Sequence, residues 1–327
     1  MDVNNPILGF FTNWVKEFSK HFEKITVICL EEGEHNLPDN VKVLSLGKEK
    51  NKSRINYVIN FFHYIWRERK NYDVIFVHMN PEYIVLGGWF WRLWQKKVAL
   101  WYVHRQTNFK LWVAEKFANT IFTSAPESFQ MKSKKVRYVG HGIDIDRFKL
   151  QKISNSGKVL HVGRITRIKN IDTIIRALKG RNLTLVGETI TADDREYKQE
   201  LETLASEIGV QVDWLGAVSN DQLPAVYADH SISINASPDG GMDKSVLESL
   251  ASGCPVFVCN SAFRRIFADY ANIFMLKYRD FEDLREKLNL WEQNSQKQGI
   301  MSELSDEVRN RYDIGTLVSK VSNTLHG

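Results

Sequence analysis

Two periodicities alternate along the chain. Short runs rich in Val, Ile, Phe and Leu give way to longer stretches in which apolar residues recur every three or four positions, the pattern of buried strands joined by amphipathic helices. In the first half the strand-like runs are 25–30, 41–46, 74–78, 99–104, 120–124 and 136–139, and the helical stretches are 7–22, 55–70, 81–95 and 110–118. The second half repeats the scheme, with strands at 158–162, 183–186, 210–215, 231–235, 255–259 and 273–276 and helices at 170–178, 195–207, 221–228, 244–251 and 281–293. Such alternation predicts an α/β fold with parallel sheets.

At 327 residues the chain exceeds the size at which single cores usually stop growing, and a polar stretch from Lys149 to Gly157 marks a junction. The expected organisation is two doubly wound domains, 1–150 and 151–304, followed by a terminal helix over 305–327 that crosses back to the first. In open parallel sheets ligands bind beyond the carboxyl ends of the strands, so two such domains facing each other would form a cleft. The chain opens with Met1-Asp2-Val3-Asn4-Asn5-Pro6, which is turn chemistry, and Ile7-Leu8-Gly9-Phe10-Phe11 runs straight into the amphipathic 14–22 helix. The opening strand of the first domain is therefore expected to be missing, leaving an unpaired edge, as an internal methionine or a shortened gene product would produce.

Charge and composition narrow the partners. The net charge of +5 is uneven: residues 1–150 hold 23 Lys/Arg against 15 Asp/Glu, and the remainder 21 against 24. Seven of the nine tryptophans also fall in that basic half. No recognised nucleic-acid motif appears and the cations are spread over many segments, so an anionic membrane surface suits this half better than nucleic acid. Lys96, Lys97, Arg67, Arg69 and Lys70, with Trp89, Trp91 and Trp94, are the expected lipid-facing residues, the alternative being core tryptophans and solvated cations. No apolar run is long enough to cross a bilayer and the N-terminus lacks the order of a signal peptide, which predicts a cytoplasmic protein, peripheral at the inner face of the membrane. The three cysteines are read as small buried hydrophobes, since Cys254 and Cys259 flank a strand on opposite faces and no partner stands at metal-ligand spacing.

Two segments carry candidate chemistry. In the first, the strand 158–162 ends at Gly163 and delivers Arg164 and Lys169 just ahead of a helix. Glycine permits close approach of a ligand, Arg164 offers a planar fork of donors and Lys169 a point charge, which together suit a diphosphate; solvated loop cations are the bland alternative. In the second, a strand leads into a turn at Gly240 and Gly241 and then a helix whose first residues are Lys244 and Ser245, where an anion is welcome. Glu248 in that helix could accept hydrogen bonds from two neighbouring hydroxyls such as those of a ribose. The spacing Ser245-x-x-Glu248 is equally a capping box, in which Glu248 would satisfy a backbone N–H.

Gly163-Arg164 with Lys169, then Ser237-Pro238-Asp239-Gly240-Gly241 leading into Val246-Leu247-Glu248 and Gly253-Cys254-Pro255-Val256, resembles the family-4 retaining glycosyltransferases, of "glycosyl transferases group 1" type and GT-B fold. The resemblance extends through Leu185-Val186-Gly187-Glu188, Trp214-Leu215-Gly216, Leu223-Pro224, Tyr227 and, in the first half, His141-Gly142-Ile143-Asp144, covering most of residues 100–260. It implies a nucleotide-sugar donor as co-substrate, with no separate cofactor, and a glycan, lipid-linked sugar or small molecule as acceptor, in the setting of cell-envelope polysaccharide synthesis. It also implies that Arg164 and Lys169 bind the donor diphosphate, that Glu248 holds the ribose, and that His104, ending a first-domain strand, contacts the transferred sugar or the acceptor. The leaving diphosphate would be stabilised by cations and helix amides rather than by a metal, and transfer would retain configuration.

Two positions depart from the family pattern. Gly240 stands where a second glutamate usually precedes Glu248 by eight residues, flanked by Asp239 and Asp243, and Arg105 stands where an acid often follows the histidine, favouring an anionic acceptor. The Gly240 departure keeps two rivals open: a non-catalytic sugar-nucleotide-binding module, and a GT-B-fold nucleotide-sugar epimerase or hydrolase. Neither half has the Gly-x-Gly-x-x-Gly of a dehydrogenase or the Gly-Lys-Ser/Thr loop of a kinase.

Overall fold

The computed structural model describes residues 1–5, 8–51 and 53–327. These divide into two compact units, one formed by 1–142 with 314–327 and the other by 143–313. The division falls at Gly142/Ile143 and again at Asp313/Ile314, whereas the sequence pattern placed it near 150 and 304.

The first unit runs α1 (Phe11–Ser19), β1 (Ile25–Cys29), β2 (Val41–Ser45), α2 (Arg54–Glu68), β3 (Val74–His78), α3 (Glu82–Leu93), β4 (Lys97–Trp101), α4 (Phe109–Phe117), β5 (Thr120–Thr123) and β6 (Val136–Tyr138). The strands form two parallel sheets, β1-β2 and β3-β4-β5-β6. The period of two along β4 sorts its side chains into two cores. Val98 and Leu100 pack with Phe61, Ile65, Ile84, Trp91 and Leu111 of α2, α3 and α4. Ala99 and Trp101 pack on the other face with Trp14 and Phe18 of α1 and with Leu317, Val318 and Val321. Caps fix the starts of two of the covering helices: the Ser53 hydroxyl accepts from the Asn56 amide ahead of α2, and the Asn108 side chain from the Leu111 amide ahead of α4.

No strand precedes α1 among the described residues, and Met1–Asn5 is irregular chain tied by Val3 N–H to the Glu34 carbonyl and by the Gly33 N–H to Met1 O. Pro6 and Ile7, part of the anticipated opening and of the 7–22 helix, lie outside the described residues. Within that description β1 pairs only with β2 and β3 only with β4, and every residue of β1 is half-buried.

The second unit runs β7 (Val159–Val162), α5 (Ile171–Ala177), β8 (Asn182–Val186), α6 (Ala192–Ile208), β9 (Gln211–Gly216), α7 (Leu223–Asp229), β10 (Ile232–Asn235), α8 (Lys244–Ala251), β11 (Val256–Val258), α9 (Arg264–Phe267), α10 (Ala271–Phe274), α11 (Phe281–Gln293) and α12 (Lys297–Arg311). Its five parallel strands follow the order β11-β10-β7-β8-β9, in which the first strand of the unit is central and the order reverses between β7 and β10. That reversal opens a crevice at the carboxyl ends of these two strands. Three sequence expectations are corrected. The apolar run 273–276 is not a strand; Ile273 and Phe274 complete α10, and only Met275 bridges to Val258. The helical run 305–326 is two helices, α12 and α13 (Ile314–His326), interrupted where Asp313 bridges to Ile143. Of the cysteines only Cys254 is fully buried, while Cys29 and Cys259 are half-buried.

Candidate functional site

The crevice end of β7 is built around two glycines. The Gly163 N–H continues the ladder to Val186 O at 2.9 Å. A Cβ on Gly187, whose φ is +142°, would lie 1.9 Å from the Gly163 carbonyl, so the two strand ends meet only because that residue is glycine. Beyond Gly163 the chain turns through Arg164 to a 3-10 turn at Arg167–Lys169 and reaches Asn170, held in the left-handed region at φ +48° ahead of α5. The buried Asn170 amide donates to Ala236 O at 2.9 Å and its carbonyl accepts from Arg279 Nε at 3.1 Å. This side chain ties the loop after β7 to the loop after β10.

The three cations of the β7 loop are treated differently. Arg167 forms a bidentate pair with Glu200, also meets Asp193, and lies over the Tyr197 ring, a structural role. Lys169 is 14% exposed and its Nζ reaches Asp243 Oδ2 at 2.7 Å and Ser237 Oγ at 3.1 Å. Arg164 is exposed and pairs with no carboxylate among the described residues. Arg164 therefore presents an unneutralised charge just beyond the end of β7.

Asp243 is the hub of the β10 side. Its Oδ2 accepts from Lys169, from Asn235 Nδ2 at 2.8 Å and from Ser237 Oγ at 2.9 Å. Burial pushes this carboxyl up, but the Lys169 ammonium and the two neutral donors outweigh it and hold it below the usual Asp range. Beneath this cluster the fully buried His161 has its Nδ1 against the Ile234 carbonyl at 2.9 Å. Its Nε2 has no partner among the described residues, and a Cβ at Gly163 would sit 3.3 Å from that atom. Burial pushes the imidazole down to about 4, so it is neutral, with Nδ1–H as donor and Nε2 as an acceptor.

Glu248 lies one turn into α8, partly buried, where its carboxylate accepts from the Tyr227 hydroxyl at 3.3 Å; that hydroxyl also lies 3.1 Å from Ser245 O. Burial pushes the Glu248 carboxyl up, against the opposing pull of Lys244, Tyr227 and Arg147, and burial lowers the Lys244 ammonium well below its ordinary value. The capping-box alternative does not describe this helix. The N-cap is Asp243, which places Ser245 inside the first turn, and Glu248 bonds a phenol rather than a backbone N–H.

Gly163, Arg164, Lys169, Gly240, Gly241, Lys244, Ser245 and Glu248 thus all belong to the loops and helix at the carboxyl ends of β7 and β10. His104 belongs to the first unit, exposed just after β4 with its ring 5.8 Å from that of Tyr102. The two acids flanking Gly240 have separate tasks, since Asp239 accepts from the Ser261 amide at 2.7 Å while Asp243 holds Lys169. A Cβ at Gly240 would meet only Pro238 O at 3.9 Å. Gly240→Glu should therefore fold with a thermal midpoint equal to wild type within error, whereas Gly187→Ala should be destabilised by more than about 1 kcal/mol; a thermal melt of both variants checks this. Asn170, Asn235, Ser237 and Asp243 are site residues that motif reading did not select. Among the described residues no group of three or more His, Cys, Asp or Glu side chains is arranged to hold a metal ion.

A doubly wound unit with an unpaired and a paired cation at its switch point and a carboxylate in the following helix is the arrangement expected of one half of a GT-B protein. Residues 142–308 match the family described as "Glycosyl transferases group 1", just over half of the chain, and the chain belongs to that family. Similar solved structures include HepE from Anabaena in complex with UDP (17% identity, 99% of this chain and 98% of that one, TM-score 0.79). Others are sucrose-phosphate synthase from Thermosynechococcus elongatus (14%, 96% and 91%, 0.79) and a glycosyltransferase from Rickettsia africae (13%, 99% and 96%, 0.77). No curated protein sequence matches the chain.

Proposed function

We propose that the protein transfers a hexose from a nucleoside-diphosphate donor to a hydroxyl of a glycan, lipid-linked sugar or small-molecule acceptor, with retention of configuration and without a metal, on the cytoplasmic side of a membrane in envelope-polysaccharide synthesis. The observation that carries this reading is the unpaired Arg164 beside the Lys169–Asp243 cluster at the β7/β10 switch point. A uridine diphosphate donor is the first candidate, because HepE binds UDP and UDP-glucose.

As the bond from the anomeric carbon to the phosphate oxygen breaks, its electron pair goes to the diphosphate. Arg164, Lys169 and the amides opening α8 are the groups available to stabilise that charge. The acceptor oxygen forms the new bond on the face the phosphate leaves, and the acceptor proton passes to the departing phosphate oxygen. Glu248 takes the ribose hydroxyls, and His104 serves the acceptor or the transferred sugar.

One observation favours a second reading, a module that binds donor without turning it over: the Lys169 charge is already balanced by Asp243, and Gly240 supplies no carboxylate. Incubation with a panel of nucleotide sugars and acceptors in the presence of EDTA separates the two. Release of nucleoside diphosphate that requires acceptor supports transfer; acceptor-independent release indicates a hydrolase, and thermal stabilisation without release indicates the binding module. A donor at a hundred times its dissociation constant should stabilise by about 2.7 kcal/mol.

A further inference from the structure

The outer face of α2, α3 and α4 in the first unit carries more exposed apolar surface than solvent contact explains. Trp89 is 70% exposed, Leu93 71% and Phe109 75%, with Trp66, Ile55, Ile59 and Trp112 more than half exposed. Trp89 and Leu93 stand four apart on α3, while Trp112 and Phe109 stack on α4. The three helices are neighbours: Trp66 of α2 contacts Trp94 beyond α3, and Trp89 of α3 contacts Phe117 of α4. Between α2 and α3 lies an apolar groove of about 330 Å³ lined by Phe62, His63, Ile65, Trp66, Phe90 and Trp94.

Cations are interleaved with this surface. Arg69 lies over the Trp66 ring and Lys116 over Trp112, while Arg67, Lys70, Arg92 and Lys110 belong to the same helices and their ends. Residues 54–117 hold ten Lys/Arg against four Asp/Glu. The three acids of the helices are each already paired: Glu68 with Lys42 and Arg67, Glu82 with Lys110, and Glu115 with Lys116. Amphipathic aromatic rings flanked by long cationic side chains are the composition of a surface that sits in a lipid headgroup layer, and the excess charge selects an anionic one.

We infer that this three-helix face docks on anionic lipid, with Trp89, Leu93, Phe109 and Trp112 inserted at the headgroup boundary and Arg92, Lys116 and Arg69 against lipid phosphates. The structure corrects the sequence expectation in its details. Trp91 is 3% exposed and belongs to the core. Lys96 turns onto the Tyr72 carbonyl and Asp73, and Lys97 reaches the Leu325 and His326 carbonyls at the end of α13.

Sedimentation of the full chain with vesicles tests this, comparing phosphatidylcholine alone with phosphatidylcholine mixed with phosphatidylglycerol, at low and high salt. The expected result is binding that needs the anionic lipid and is lost at high salt. Trp89→Ser combined with Leu93→Ser, and separately Arg92→Glu combined with Lys116→Glu, should each weaken partition on the order of tenfold or more. All four positions are exposed, and unchanged thermal midpoints confirm that the variants fold. No binding at low salt, equal binding to neutral vesicles, or variants that bind like wild type would overturn the inference. Sedimentation equilibrium without lipid examines the competing occupant, and a stable self-associated species that the same substitutions dissolve would assign the face to a second copy of the chain instead.

Discussion

Arg164→Ala is expected to lower sugar transfer by about 100- to 1,000-fold, or about 3–4 kcal/mol of transition-state stabilisation, and to leave the thermal midpoint unchanged. The separation of the two effects follows from geometry: Arg164 is exposed, pairs with no carboxylate and leaves no buried group unsatisfied when it is removed. Lys169→Ala behaves differently. It removes one member of a largely buried pair and strands the Asp243 carboxylate, which keeps only Asn235 and Ser237 as donors, so stability should fall by about 2–3 kcal/mol together with activity. Adding Asp243→Asn to Lys169→Ala should restore most of the stability but none of the transfer. The same pair predicts acid sensitivity. The Asp243 pKa is held below its ordinary value of 3.8, so its contribution is complete above that pH and is lost as pH falls through the lower folded value; Asp243→Asn should abolish that part of the acid transition. Unchanged kcat/KM in Arg164→Ala would remove this residue from the leaving-group site.

What the sequence revealed depended on how local the determining interactions are. The alternation in β4 and the three- to four-residue spacing of α2 and α3 are set by burial on each side of a sheet, so pattern alone recovers them. The segment Ile273-Phe274-Met275-Leu276 has no period to read, and a short buried apolar run is as compatible with a helical turn as with a strand; here α10 prevails. The spacing Ser245-x-x-Glu248 matches a capping box only in text, because the start of α8 is set by Asp243. A true capping box stands at Thr191 and Asp194, ahead of the expected helix start at 195. The Lys169–Asp243 contact spans 74 positions and arises because β7 and β10 are neighbours, which nothing in either segment states. Asn170 is hidden for the same reason, since its side chain acts on Ala236, a residue of a different loop.

Glu248→Gln is expected to weaken binding of a nucleoside diphosphate about 10- to 100-fold, equivalent to losing one charge-assisted hydrogen bond of about 1.5–3 kcal/mol, with little change in thermal midpoint. Among the described residues the Tyr227 hydroxyl is the hydrogen-bond partner of this carboxylate, which leaves acceptor sites on its two oxygens for the paired hydroxyls of a ribose. Gln keeps one acceptor oxygen and replaces the other with a donor, so one hydroxyl would meet a second donor instead of a carboxylate oxygen. Tyr227→Phe supplies the control. It removes the phenol that bonds Glu248 and lies against the Ser245 carbonyl, so it should cost about 1 kcal/mol of stability while leaving the carboxylate, and hence nucleotide affinity, nearly intact. Isothermal titration of both variants with UDP, alongside melts without ligand, distinguishes the roles. Full affinity in Glu248→Gln would mean that the carboxylate serves α8 and Tyr227 rather than the nucleotide, and the ribose would then have to be held by other groups of the β10 loop.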